Sequence, residues 1–469
     1  MFVYPERIPL KDGGFVNAER GFVFVPINRS KRGSDVIGIE VYRFRASANA
    51  KPGAPPIFFL HGGPGFPGLE GFLKTEGTFE ERWRPLTDVS DVVVVSQRGI
   101  GSSKPTTLID MPSDPIPAEQ PFDADKVRTE AQQVYQREKA FWEQAGVDLK
   151  GFTVLEAADD VDDVRKALGY DKITIWGGSF GSHWGMTLMR KRPEILERVI
   201  LFGMEGPDQS YDHPGWLWNV YKRMAEEAEK APELKGMIPE GGLIKAAETI
   251  VERARTKPFT VTVTDTVDNS KHDILFDGEL IKPLSRGYGP LNNWPASIIT
   301  MYRGDFRAAA EARFRWSKSS ARAYRTASYF MLDCGSGVTQ KRLAEQQADP
   351  AVNLLWRMNS IYFDACSVWE SDLGDDFRQN FETQIPTVIV HGTWDLSTPL
   401  ENAQELVPYF KNSKFIPVVR GPHGAIVAAM GASEEFRKGI MHFAATGDMS
   451  QLPDSVTMPP VKWRVPSSK

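Results

Sequence analysis

The chain has 469 residues, 41% hydrophobic and 25% charged, with a formal net charge of −5 from 56 Lys and Arg against 61 Asp and Glu. Such a length is ample for a large core plus an inserted subdomain, and the composition is that of an ordinary globular protein. The nearly balanced charge, with no basic block, gives no support for a nucleic-acid partner, and no apolar run approaches the ~20 residues needed to span a bilayer.

The opening stretch MFVYPERIPLKDGG lacks a basic segment followed by an apolar one, so no export signal is read there. Residues 14–46 alternate apolar and polar positions (Phe22, Phe24, Ile27, then Ile39, Val41, Phe44), which predicts antiparallel hairpin strands. After a Pro/Gly-rich break at 51–56, Ile57 to Leu60 predicts a buried strand running into the glycine-dense His61-Gly62-Gly63-Pro64-Gly65. Val92 to Val95 predicts the next strand, leading into Ser96-Gln97-Arg98-Gly99. The spacing predicts helix over 127–168, a strand over Ile173 to Trp176, a helix from Trp184 to Arg190 and a strand over Val199 to Phe202. Strands alternating with helices in this way predict a mostly parallel sheet covered on both faces.

From Met204 the rhythm changes. Helical patterns over 216–256, a small hairpin (Phe259 to Val263, His272 to Phe276) and further helices through 293–330 and 340–365 predict an inserted cap. The α/β rhythm returns with a strand at 386–391, a helix at 401–409 and a strand over Phe415 to Val419. The last nineteen residues are Pro-rich and are expected to be peripheral. The expected division is therefore core over 1–204, cap over 205–375 and core again over 376–469.

The segment Lys172 to His183, KITIWGGSFGSH, reads as strand, sharp turn and helix with Ser179 at the apex. That is the pattern of a nucleophile elbow, where flanking glycines give the turn its backbone freedom. A lone G-x-S-x-G is weak evidence, so the context must carry it. An activated serine needs a base within reach and a carboxylate to orient that base. Asp395 lies just beyond the strand 386–391, and His423 just beyond the strand 415–419, in the order Ser, acid, His of the α/β hydrolases. All three fall where doubly wound sheets place their sites. The amides of Phe180 and Gly63, or alternatively Gly62, are the candidate oxyanion donors. His61 opens the glycine loop, and His391 is expected to be packed. His183, His213, His272 and His442 carry no signal. No C-x-x-C or H-E-x-x-H is present, so neither a metal nor a cofactor is expected.

HGGPG at 61–65, SQRGIGSS at 96–103 and GGSFGS at 177–182 resemble the proline iminopeptidase and tripeptidyl aminopeptidase branch of the α/β hydrolases, peptidase family S33. The cap region, with WPASIITMYRGDF and a stretch ending at Cys366-Ser-Val-Trp369, is similar to that of the tripeptidyl aminopeptidases. The resemblance implies an α/β-hydrolase fold with a largely helical cap. It implies a serine aminopeptidase acting on short peptides, with a carboxylesterase acting on small esters as the alternative. Proline iminopeptidases usually carry an acid where Ser96 stands and an Arg near Ser102-Ser103, so this sequence departs from that pattern. Arg98 is expected to brace the loop. The resemblance further implies that an acid such as Glu205 binds the substrate's amino terminus. It also implies that Cys334 and Cys366 form a disulfide, which would suit an oxidising compartment. Oligomeric state is not legible here.

Overall fold

The computed structural model of the protein describes residues 2–10, 13–50, 52–66, 84–111, 116–318 and 325–466. The chain opens with three antiparallel strands, β1 (Phe2–Pro9), β2 (Phe15–Pro26) and β3 (Val36–Phe44). The expected hairpin is β2–β3, and β1 extends it. The core follows with β4 (Ile57–Leu60), β5 (Val92–Val95), α1 (Ala124–Gln144), α2 (Val154–Ala167), β6 (Ile173–Gly178), α3 (Phe180–Lys191) and β7 (Leu196–Phe202). Every residue of β4, β5 and β6 is buried, which is why these strands read as continuous apolar runs rather than alternating ones.

An insertion then carries α4 (Pro214–Ala228), α5 (Gly242–Thr256), the hairpin β8 (Phe259–Thr264) and β9 (Lys271–Phe276), α6 (Trp294–Tyr302), α7 (Arg307–Lys318), α8 (Ala327–Ser336), α9 (Gln340–Ala348) and α10 (Ser360–Trp369). Residues 319–324 of the helical stretch expected through 293–330 lie outside the described residues. The core resumes with β10 (Thr387–Gly392), α11 (Leu400–Leu406), β11 (Ser413–Val419), α12 (Ala425–Ala432), α13 (Glu434–Thr446) and β12 (Val456–Thr457).

The main sheet runs β1-β2-β3-β5-β4-β6-β7-β10-β11-β12, parallel from β5 to β12. On one face Tyr135 of α1, Val161 and Val164 of α2 and Trp184 and Leu188 of α3 cover Phe58, Val93, Ile175 and Leu201. Phe436, Ile440 and Phe443 of α13 cover Val92, Val94, Val388 and Val390 on the other. Helices α4 to α6 and the β8–β9 hairpin build a third cluster around Tyr221, Ile250, Ile274 and Trp294. By contrast α8 and α10 pack onto α1: Phe330 stacks on Trp369 at 5.5 Å, and Tyr135 lies 4.9 Å from Phe330.

The expectation that the last nineteen residues are peripheral is corrected. Val456 and Thr457 add a parallel edge strand to β11, and Trp463 is buried beside Trp394 with ring centroids 5.8 Å apart. Proline suits this extended segment because most of its backbone needs no ladder partner, while Leu452, Val456 and Trp463 supply apolar anchors.

Candidate active site

Ser179 occupies the turn between β6 and α3 with φ 55° and ψ −133°, a conformation that costs a non-glycine residue ~1–3 kcal/mol and that clusters at functional sites. The turn is held from both sides. Ser179 N–H donates to the carbonyl of Phe202, the last residue of β7, at 3.1 Å. The Ser179 carbonyl accepts from the Ser182 hydroxyl at 2.7 Å.

Because β6, β7, β10 and β11 are parallel neighbours, the loops carrying Ser179, Asp395 and His423 leave the sheet at one edge. His423 Nδ1 lies 2.8 and 3.0 Å from the two Asp395 oxygens. Asp395 is fully buried and also accepts from Ser397 N–H, Thr398 N–H and the Thr398 hydroxyl at 2.8 to 2.9 Å. Burial alone would raise its carboxyl. The His423 hydrogen bond and charge, with His391 and the Ser397 amide, outweigh that and hold it below the usual carboxylate range. An ionised carboxylate facing Nδ1 fixes the proton there and leaves Nε2 as the basic nitrogen. The imidazole lies over the end of β7: a Cβ at Gly203, whose φ is +53°, would sit 2.9 Å from His423 Cε1. Gly203 directly follows the residue to which Ser179 is bonded, so hydroxyl and imidazole flank the same strand end.

The glycine loop comes up against the serine. A Cβ at Gly62 would sit 2.7 Å from Ser179 Cβ and 3.2 Å from its Oγ. Gln97 pins this loop, donating from Nε2 to the carbonyls of His61 and Gly62 at 3.1 Å and accepting from Gly65 N–H at 3.0 Å. Gly63 adopts φ +116°, and Phe180, the first residue of α3, is buried. Gln97 was visible in the SQRG motif but not singled out. Arg98 is wholly buried and pairs with both oxygens of Asp160 at 2.7 and 2.8 Å, while its Nη1 donates to the carbonyls of Ile27 and Gly151. These bonds brace the core.

Glu205 is 8% exposed, and its carboxyl is pushed well above the usual range by burial first, then by the Asp333 and Asp212 carboxyls. Burial likewise pushes Asp333 of α8 up to about 8, against the hydrogen bonds it accepts from Tyr362 and Tyr329. The Asp333 charge disfavours ionisation of Glu205, and the Asp212 charge disfavours ionisation of both. Asp333 was missed, although an acid inside the apolar ASYFMLDCGS was a readable signal. Its neighbour Cys334 is joined to Cys366 of α10, with Cα atoms 5.2 Å apart. Among the described residues no group of His, Cys, Asp or Glu could hold a metal ion, and no helix is long and apolar enough to cross a membrane.

Residues 55–236 match the family described as the alpha/beta hydrolase fold. Serine protease Hip1 of Mycobacterium tuberculosis is 30% identical over 203 residues, 40% of this chain and 36% of that protein. Tripeptidyl aminopeptidase of Streptomyces coelicolor is 27% identical over 198 residues, 40% of this chain and 35% of that protein. Proline iminopeptidase of Neisseria meningitidis is 23% identical over 168 residues, 35% of this chain and 37% of that protein. The chain thus spans little over a third of the length of these relatives. With its parallel sheet and the family match around the elbow, the chain has the α/β-hydrolase fold, and its sequence relatives include a serine protease, a tripeptidyl aminopeptidase and a proline iminopeptidase.

Proposed function

We propose that this chain is a serine aminopeptidase that cleaves short peptides from their amino end through an acyl-enzyme. Ser179 attacks the scissile carbonyl while His423 Nε2 takes its proton, and Asp395 stabilises the imidazolium. The Phe180 and Gly63 amides bind the oxyanion, each worth ~3 kcal/mol of transition-state stabilisation. His423 then protonates the leaving amine, and water releases the acyl group by the reverse sequence of proton transfers. The observation that supports the amino-end preference is a pair of buried acids, Glu205 on a loop tied to the elbow through Ser182 and Asp333 on α8. An arriving α-ammonium offsets the repulsion between these acids and draws a carboxylate out of them.

Aminoacyl, dipeptidyl and tripeptidyl p-nitroanilides are the test. Cleavage that requires a free amino terminus, and that disappears in Ser179→Ala, is the expected result. Turnover of p-nitrophenyl esters with no nitroanilide cleavage would instead make this a carboxylesterase using the same serine. Failure of a fluorophosphonate probe to label Ser179 would end the hydrolase reading altogether.

A further inference from the structure

Three consecutive residues of the loop after β7 are held through their backbone by side chains of the hydrolytic scaffold. Met204 N–H donates to His391 Nδ1 at 3.2 Å, and Glu205 N–H to Ser182 Oγ at 2.9 Å. The Gly206 carbonyl lies 3.0 Å from His183 Nδ1. A carbonyl only accepts, so Nδ1 of His183 carries the proton, and its Nε2 keeps a lone pair for the Ser336 hydroxyl 2.9 Å away. Ser336 ends α8, one helical turn beyond Asp333. The His183 ring is buried between Phe180, stacked at 5.6 Å, and Phe377, edge-on at 5.7 Å. Burial depresses its pKa to about 4, so the neutral bridging form persists at ordinary pH.

A buried neutral histidine has one donor and one acceptor nitrogen to satisfy, and the identity of the partners is what carries information. Here each ring nitrogen is committed to a different carboxyl-bearing element, and the ring itself stands one turn along the helix that begins at the nucleophile. We infer that His183 is a positioning residue: through Gly206 and Ser336 it sets how far the Glu205 and Asp333 carboxyls stand from Ser179, and so the length of amino-terminal peptide that fits between them. This rests on the proposal that those carboxyls receive the amino terminus.

The experiment uses the full chain with His183→Asn and Ser336→Ala. Asparagine can still donate to the Gly206 carbonyl but is too short to meet Ser336. Ser336→Ala cuts the same link from α8 without touching the elbow helix. Each variant is expected to raise KM for free-amino nitroanilides about tenfold, the loss of roughly one net hydrogen bond, with kcat nearly constant. The KM of p-nitrophenyl acetate, which has no amine, should move by less than about twofold, and the double variant should be no worse than the worse single one. The ratio of tripeptide to dipeptide released from a free-amino peptide should also shift in both. Equal losses on amine-bearing and amine-free substrates, or additive single effects, would overturn the inference. Glu205→Gln and Asp333→Asn separate it from its premise. If they leave the free-amino KM unchanged, the amino-terminal reading falls; if they raise it while His183→Asn and Ser336→Ala do not, only the positioning role falls. Should His183→Asn fail to fold, Ser336→Ala carries the same decision alone.

Discussion

Adding one methyl group at Gly62 probes the reaction centre directly. The new Cβ would lie 2.7 Å from Ser179 Cβ, 3.2 Å from Oγ and 3.2 Å from the Gly178 carbonyl. Ordinary contact begins at 3.4 Å, so loop or serine must retreat by about 0.7 Å. The loop cannot give way freely, because Gln97 holds the His61, Gly62 and Gly65 backbone with three hydrogen bonds. The serine cannot either, since β7 and Ser182 fix its amide and carbonyl. Displacements near 1 Å between nucleophile and reacting carbon cost about a hundredfold, so Gly62→Ala should lower kcat by ~30- to 300-fold, about 2–3 kcal/mol. Steady-state kinetics on a cleaved nitroanilide or ester, with the fluorophosphonate labelling rate and a thermal melt beside them, measure this. Parent-like kcat with an unchanged Tm would refute the placement of the glycine loop against the nucleophile.

Asp395→Asn keeps the acceptor for the Ser397 and Thr398 amides but turns an NH2 toward His423, forcing the wrong tautomer; kcat should drop by ~10⁴-fold, and a loss under about tenfold would count against the relay. Asp333 has its pKa raised on folding, so its contribution to stability is complete below the unfolded carboxyl range near ~4 and is lost as pH climbs to about 8. The Tm advantage of Asp333→Asn should therefore grow across that window and level off above it, as scanning fluorimetry at stepped pH would show; a constant difference would contradict the burial argument. Arg98→Met leaves the buried Asp160 with Arg29 as its cationic partner and unpairs the Arg98 bonds to the Ile27 and Gly151 carbonyls, and should cost ~2–4 kcal/mol in urea unfolding, with under about 1 kcal/mol refuting the brace. Replacing Cys334 and Cys366 with Ala opens a link across 32 residues and should lower stability by ~2–4 kcal/mol, checked by melts with and without reductant.

The elements that announce themselves in the sequence are those buried on both faces. IFFL and VVVV have no polar position to blur them, ITIW has only Thr174, and a glycine follows within four residues of each run. Ser179 follows ITIWGG at once, whereas Asp395 and His423 lie three and four residues beyond β10 and β11, close enough for the strand ends to point to them. What stayed hidden depends on contacts made far along the chain. Helix α12, AIVAAMGA, is apolar on every side and shows no helical stripe, and β12 is two residues long and exists only because β11 offers it an edge. His183 gave no sign of its role because both of its partners, Gly206 and Ser336, come from other elements. Thr398 was likewise invisible as a donor to Asp395 until the turn at 395–398 closed on it.

The segment beyond β12 ties the inserted helices to the base. The Met458 carbonyl accepts from the guanidinium of Arg420, three residues before His423, and the same side chain reaches Glu227 in α4. Farther on, Trp463 N–H is held by Glu233, and Arg464 N–H by the Asn292 carbonyl. A swing of α4 to α6 away from the sheet as one rigid piece would therefore drag on the stretch of backbone that aims the imidazole. Through Arg420 the inserted helices and the loop bearing His423 thus share one set of hydrogen bonds, so that a displacement of either strains the other.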